Sequence, residues 1–289
     1  MNLIKKQFLL FSLILTFMFS SQVYASENAN YDLMALVFRI YQTTSIDVVS
    51  GEKVHDTIEK LTSKELSLID FLCDSFDSAD YLAKKTSNRQ FILDIYQAVF
   101  NETPSSDEIV SFVEKMSSRS RESALKEILI GTKLYDLCVS YDIHMVKDMD
   151  HPLMQYAKEV LEELDWDLKA AFEWSHTDIY YDWPYSPGPN DSHLEFYGRF
   201  GFENGYGNCY VMSSVFCWLA RMKGITIYTV EGYVPLAGGS LAEHGWCEAI
   251  IDDKIYVFDS SWSRHGNDGF MIQYKQKGTY VYTDYKRVY

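Results

Sequence analysis

Gly207-Asn208-Cys209-Tyr210-Val211-Met212-Ser213-Ser214-Val215-Phe216-Cys217-Trp218-Leu219-Ala220-Arg221-Met222-Lys223-Gly224-Ile225 reads as one apolar helix with a thiol at its start. A glycine turn precedes Cys209, and Gly224 supplies the stop. The first N–H groups of a helix have no intrahelical partner and carry the positive end of the macrodipole, so a sulfur placed there is favoured as thiolate. Thiolate is the nucleophilic form, which makes the position suited to covalent catalysis. The competing reading is packing, because free cysteine is among the most buried residue types. Cys217, two turns further on, is read that way.

The residues downstream decide between the two. Strand-like runs follow the helix at 225–234, 244–251, 254–259 and 280–285. Treating His244 to Trp262 as a hairpin that turns at Asp252-Asp253 pairs Ile251 with Lys254, sets Trp246 opposite Asp259, and leaves His244 one pair further out on the diagonal. Alternation then puts His244, Trp246, Glu248, Val257 and Asp259 on one face. A three-residue loop would flip one strand and separate the pair. In this register Cys209 is the candidate nucleophile, His244 the base that holds the thiolate and later protonates the leaving amine, and Asp259 the carboxylate that fixes the imidazole. The Cys209 backbone N–H is a candidate oxyanion donor, with Trp174, Tyr181 and Trp183 as candidates for a second. Tyr180, Tyr185 and Trp246 are candidates for substrate contact, and Glu248 is read as exposed or ion-paired.

Tyr181-Asp182, Gly207-Asn208-Cys209 with Gly224-Ile225, Gly232, His244-Gly245-Trp246 and Asp259-Ser260-Ser261-Trp262 together resemble the transglutaminase-like superfamily. The resemblance runs from near Pro152 to the end. It implies a papain-like α+β core with an antiparallel sheet, Cys209, His244 and Asp259 as the triad, and acyl transfer at an amide. The sequence departs from the family in having Gly245 where alanine is common, and in lacking an acidic cluster of the kind that binds calcium in animal members.

Before residue 150 the pattern is helical, with apolar spacing through Leu33, Leu36, Val37 and Ile40 and again through Phe91, Ile92, Ile95 and Val99. Thr62-Ser63-Lys64-Glu65 and Ser105-Ser106-Asp107-Glu108 have the letters of capping boxes. Ile40-Tyr41-Gln42 recurs as Ile95-Tyr96-Gln97, and Ile58-Glu59-Lys60-Leu61 as Val113-Glu114-Lys115-Met116, both 55 positions on. Two helical repeats are expected. The second copy resembles a small helical domain of unknown function found in secreted bacterial proteins. One further helix is expected from Leu153 to Phe172, then an aromatic and proline-rich loop that leads through Gly198, Gly201 and Gly205 to Cys209.

Residues 1–25 read as a secretory signal: Lys5 and Lys6, an apolar run from Phe8 to Phe19 too short to span a bilayer, and Val23-Tyr24-Ala25 as the cleavage site. The mature chain is then expected to be secreted or held at the cell surface, with no membrane span. The net charge of −15 argues against nucleic-acid binding. Five cysteines are too few for a disulfide scaffold, and whether Cys73 and Cys138 pair is open at this point. His55, His144, His151, His176 and His193 lack ligand spacing, so neither metal nor cofactor is expected.

The expected organisation is a signal at 1–25, a helical region over 26–149 and a catalytic α+β domain over 150–289. The expected chemistry is a cysteine peptidase or amidase acting on peptide or protein, possibly cell-envelope, amides through a thioester. A cross-linking protein-glutamine gamma-glutamyltransferase, and a binding protein with a vestigial triad, are the rivals.

Overall fold

The computed structural model describes residues 32–183, 186–188 and 191–289. The expected signal at 1–25 lies outside the described residues, as does Tyr185. Eight helices come first: α1 (32–44), α2 (Gly51–Thr62), α3 (Leu68–Phe76), α4 (Ala79–Ala83), α5 (Asn88–Phe100), α6 (Ser106–Lys115), α7 (Arg121–Leu129) and α8 (Thr132–Tyr141). Helices α2 to α7 each start at a serine whose hydroxyl accepts an N–H of the first turn: Ser50, Ser67, Ser78, Ser87, Ser105 and Ser120. Such a cap answers one of the orphan donors left at a helix start. Ser105 and Glu108 complete the capping box reciprocally. Thr62–Glu65 does not form one. Thr62 is still inside α2, its hydroxyl donates to the Ile58 carbonyl, and Lys64 takes a left-handed φ of 65° that ends the helix. The starts at 51 and 106 lie 55 positions apart, the spacing of the two sequence matches, whereas those at 68 and 121 and at 79 and 132 lie 53 apart.

The second half continues with α9 (Pro152–Glu163), α10 (Leu168–Thr177), β1 (Tyr180–Tyr181), α11 (His193–Asn204), β2 (Tyr206–Gly207), α12 (Cys209–Met222), β3 (Thr226–Pro235), β4 (Leu241–Ile251), β5 (Lys254–Phe258), α13 (Ser260–Ser263) and β6 (Thr283–Arg287). The single helix expected over 153–172 is therefore two. Asp165 and Trp166 both take positive φ, the buried Trp166 indole donates to Thr132 Oγ1 on α8 at 2.9 Å, and Asp167 caps the new start. A tertiary anchor breaks the local period. The glycine-punctuated stretch before Cys209 also holds a helix, α11. A Cβ on Gly198 would lie 2.6 Å from the Trp218 ring, and one on Gly201 would lie 2.4 Å from Val215, so these glycines let α11 lie close against α12. Ser192 caps it, with Glu195 three residues on.

Four strands form an antiparallel sheet in the order β5-β4-β3-β6. The β4–β5 register pairs Ile251 with Lys254 and Cys247 with Phe258, as the two-residue turn requires. Asp252 and Asp253 both adopt left-handed φ (52° and 58°), the signature of a type I′ turn. Ser120 at the start of α7 holds the Asp252 carboxylate through its N–H and its hydroxyl. One face of the sheet carries α12. The other is covered by the chain that returns from 270 to 282, forming a small cluster of Val230, Val234, Trp246, Val257, Ile272 and Tyr282.

The main core runs without interruption from Leu33 to Phe258, so helical region and sheet share it. Gly224, at φ 66°, ends α12 where a Cβ would meet Ile130 Cδ1 at 2.7 Å. Beside it the buried Lys223 donates to the Ile130 carbonyl at 2.8 Å, and burial pulls its pKa down to about 8. All five cysteines are free thiols. Among the described residues no helix is long and apolar enough to cross a membrane.

Candidate active site

Twelve of the fourteen residues of α12 are buried, so it is a central helix, hydrophobic all round. Asn208 caps it: Oδ1 accepts the N–H of Tyr210 (3.1 Å) and of Val211 (3.4 Å). The Cys209 N–H is left to the site. Parallel pairing of β1 with β2, with the Asp182 N–H on the Gly207 carbonyl at 3.0 Å, fixes the approach to the helix. Cys209 is 5 % exposed, so its sulfur is almost wholly shielded from solvent.

His244 and Asp259 arrive from β4 and from the end of β5. Asp259 has no exposure, and its Oδ2 lies 2.9 Å from His244 Nε2. Its Oδ1 accepts the Trp262 N–H at 2.9 Å, because Asp259 is also the N-cap of the short α13. The Cys209 sulfur lies near enough to the same imidazole to favour its protonated form. With Nε2 committed to Asp259, Nδ1 is the nitrogen that remains for sulfur. Burial pulls the His244 pKa down, but the Asp259 charge and hydrogen bond, helped by Cys209, outweigh it and raise the value to about 10. The ring is therefore an imidazolium at neutral pH.

Aromatic rings enclose this imidazole. Trp246 stacks at 5.9 Å, Tyr280 meets it edge-on at 5.5 Å, and Trp262 packs against Tyr280 at 3.9 Å. Tyr282 donates its hydroxyl to Asp259 Oδ2 at 2.9 Å. Sequence reasoning placed Tyr280 and Tyr282 in a strand and gave them no part in the site. The strand begins only at Thr283, and these two tyrosines cover the His–Asp pair. Their period-2 spacing was the available signal.

The remaining candidates scatter. Tyr181 is half-buried beside Cys209: burial raises its pKa first, and the Cys209 charge adds to that. The Arg264 guanidinium lies 4.0 Å above its ring. Trp183 is 76 % exposed and its N–H turns back to the Asp182 carboxylate. Trp174 stacks on Phe202. Tyr180 is exposed. Trp246 is a correction: it has no exposure, so it supports the imidazole from behind and cannot touch substrate. Glu248 is ion-paired but buried, held by Arg287 Nε at 2.6 Å and by the Tyr274 hydroxyl.

Gly245 also has a physical reason. Here β4 crosses the first turn of α12, and a Cβ would lie 2.7 Å from Tyr210 Cδ1. Gly245→Ala is expected to cost about 1–3 kcal/mol through overpacking, and to slow Cys209 alkylation as His244 is pushed off register. Tyr210→Ala in the same chain should recover part of the melting temperature. Melting curves of the single and double variants check this.

Among the described residues no three His, Cys, Asp or Glu side chains gather to hold a metal. A cleft of about 620 Å³ opens between α6–α7 and the β4–β5 turn, and no triad residue lines it. Lys115 and Arg119 there are already paired with Glu127.

A thiol at a helix start and an imidazole held by a carboxylate on two adjacent strands define a thiol enzyme in general terms. Residues 155–261 match the family model described as Transglutaminase-like superfamily, and this part of the chain is a transglutaminase-like domain. A crystal structure described as "a Putative Cysteine Protease from Cytophaga hutchinsonii" is similar at 18% identity, over 38% of this chain and 36% of that one, with a TM-score of 0.29. The likeness thus spans about a third of that protein's length. No curated protein matches the chain.

Proposed function

We propose that this chain hydrolyses amide bonds of peptides, or the side-chain amides of protein glutamines, through a thioester on Cys209. The observation that carries the reading is the buried His244 ring, 2.9 Å from Asp259, with the Cys209 sulfur beside it at the start of α12. Sulfur attacks the carbonyl carbon, and the carbonyl π electrons move onto oxygen. The Cys209 N–H meets that oxyanion, with the Tyr181 neighbourhood as the place for a second donor. His244 gives its Nδ1 proton to the leaving nitrogen as the C–N bond breaks. The neutral ring then takes a proton from water, which attacks the thioester; the C–S bond breaks, the acid leaves, and the unacylated sulfur and the protonated ring are restored. Asp259 keeps the imidazole aligned throughout.

Water is the acceptor on this reading because residues 1–25, taken as a signal, place the mature chain outside the cell, where substrates are peptides or envelope proteins. In this arrangement 150–289 is the catalytic unit and 26–149 the helical region, whose described residues from 32 on pack into the same core.

The test is thiol labelling followed by product analysis. Cys209 should react with iodoacetamide near pH 7 at least tenfold faster than the other four cysteines, and Cys209→Ala should abolish the fast phase. Equal slow labelling of all five would favour the vestigial binding protein. Ammonia or peptide release that is unchanged by an added primary amine supports hydrolysis. Incorporation of that amine into glutamine-bearing protein would replace hydrolysis by cross-linking.

A further inference from the structure

We infer that Tyr282 is a positioning residue of this site: its phenol shares Asp259 Oδ2 with His244 Nε2–H and so sets how strongly the carboxylate holds the imidazolium. The inference rests on the Cys209–His244–Asp259 reading above and names a fourth member for it.

Three hydrogen bonds converge on Asp259, each 2.9 Å long. Oδ1 takes the Trp262 N–H, while Oδ2 takes both His244 and Tyr282. A carboxylate tied at one oxygen only could turn about its Cβ–Cγ bond. The phenol is the second tie, so His244 meets an acceptor already fixed in plane. Two donors on one oxygen also compete for its charge. Each increment drawn by the phenol is withheld from the imidazolium, which lowers the pH at which His244 gives up its proton. Tyr282 is 8 % exposed and its ring packs 4.6 Å from Trp246, so water has no easy route to replace it. Burial and the adjacent carboxylate both push its own ionisation upward, so it stays a donor.

Position in the chain adds to this. The family match ends at residue 261, before Tyr282. The segment from 270 to 282 that supplies it also covers one face of the sheet. The same return of the chain therefore closes the small core and trims the carboxylate.

The experiment is a titration of the His244 ring by ¹⁵N NMR in the full chain, made for the native protein, for Tyr282→Phe, and for protein carrying 3-fluorotyrosine at 282. Tyr282→Phe frees Oδ2 for the imidazolium, and the His244 midpoint should rise by about half a unit. Fluorotyrosine keeps the shape and donates more strongly, so the midpoint should fall. Opposite displacements from two substitutions at one position are not produced by a packing role. The fluorinated chain also keeps the test available if Tyr282→Phe folds poorly. A midpoint that stays put in both, or moves the same way in both, overturns the inference. If Cys209 still labels fastest in that case, the triad reading stands without Tyr282. Equal labelling of all five thiols in the native chain would remove both.

Discussion

Asp259→Asn is expected to slow the alkylation of Cys209 at pH 7 by about three orders of magnitude while leaving the fold in place. The substitution is isosteric and keeps an oxygen for the Trp262 N–H. What it removes is the charge that opposes burial. In the native chain that charge raises the His244 pKa to about 10, although burial acts downward on a ring with 6 % exposure. Without it, burial is opposed by Cys209 only, and the midpoint should drop toward or below the ordinary histidine value of about 6.5. At neutral pH the ring is then neutral, and the sulfur loses its cationic partner. Timed iodoacetamide labelling, with Cys209→Ala as blank, measures it. Native-like labelling by Asp259→Asn would mean that the carboxylate has no part in activating the thiol.

The same shift has a stability consequence. The folded pKa of His244 lies above its unfolded value of about 6.5, so the folded state binds the proton more tightly. This contribution is present in full below about pH 6.5 and is lost as the pH rises through the folded value near 10. Chemical denaturation should therefore show native stability falling across that window. In Asp259→Asn the slope should flatten or reverse there, because the residue that raises the folded pKa is gone.

How far the sequence disclosed this site depends on which interactions are local. The β4–β5 register was legible because a two-residue turn leaves one pairing, and Asp252 and Asp253 tolerate the left-handed φ it needs. Cys209 and Asp259 were legible because each sits at an element boundary with a cap, Asn208 for α12 and Asp259 itself for α13, and His244, inside β4, followed from the hairpin register. Events that depend on distant chain were not legible. The break between α9 and α10 follows from Trp166 reaching Thr132 on α8. The helix α11 follows from glycines chosen for contact with Trp218 and Val215, residues that act as helix breakers when read alone. Alternation along β4 placed His244 and Trp246 on one face correctly, but it carries no information on what lies over that face. The covering segment is 270–282, and it turns an expected substrate contact into core.

Trp246 is where that difference becomes measurable. Its ring has no exposure and touches the rings of His244, Tyr282 and Tyr285 at centroid distances of 5.9, 4.6 and 5.7 Å, while its indole N–H donates to the Tyr274 hydroxyl at 2.8 Å. Gly232 on β3 leaves room for it, since a Cβ there would lie 2.8 Å from the ring. Trp246→Ala would empty a volume that rigid neighbours cannot refill, and is expected to cost about 3–5 kcal/mol. For a chain of this size that is a fall of about 10 °C or more in melting temperature, together with loss of the fast Cys209 labelling as His244 loses its backing. Trp246→Phe keeps most of the ring and forfeits the bond to Tyr274, so it should cost about 1 kcal/mol and leave Cys209 labelling close to native. A residue that contacts substrate would behave the other way, with the melting temperature unchanged and turnover of a peptide amide weakened through KM. Calorimetry on the two variants, paired with labelling at Cys209, separates these outcomes. An undiminished melting temperature in Trp246→Ala would place the ring at the opening of the site and reverse the assignment of this face as core.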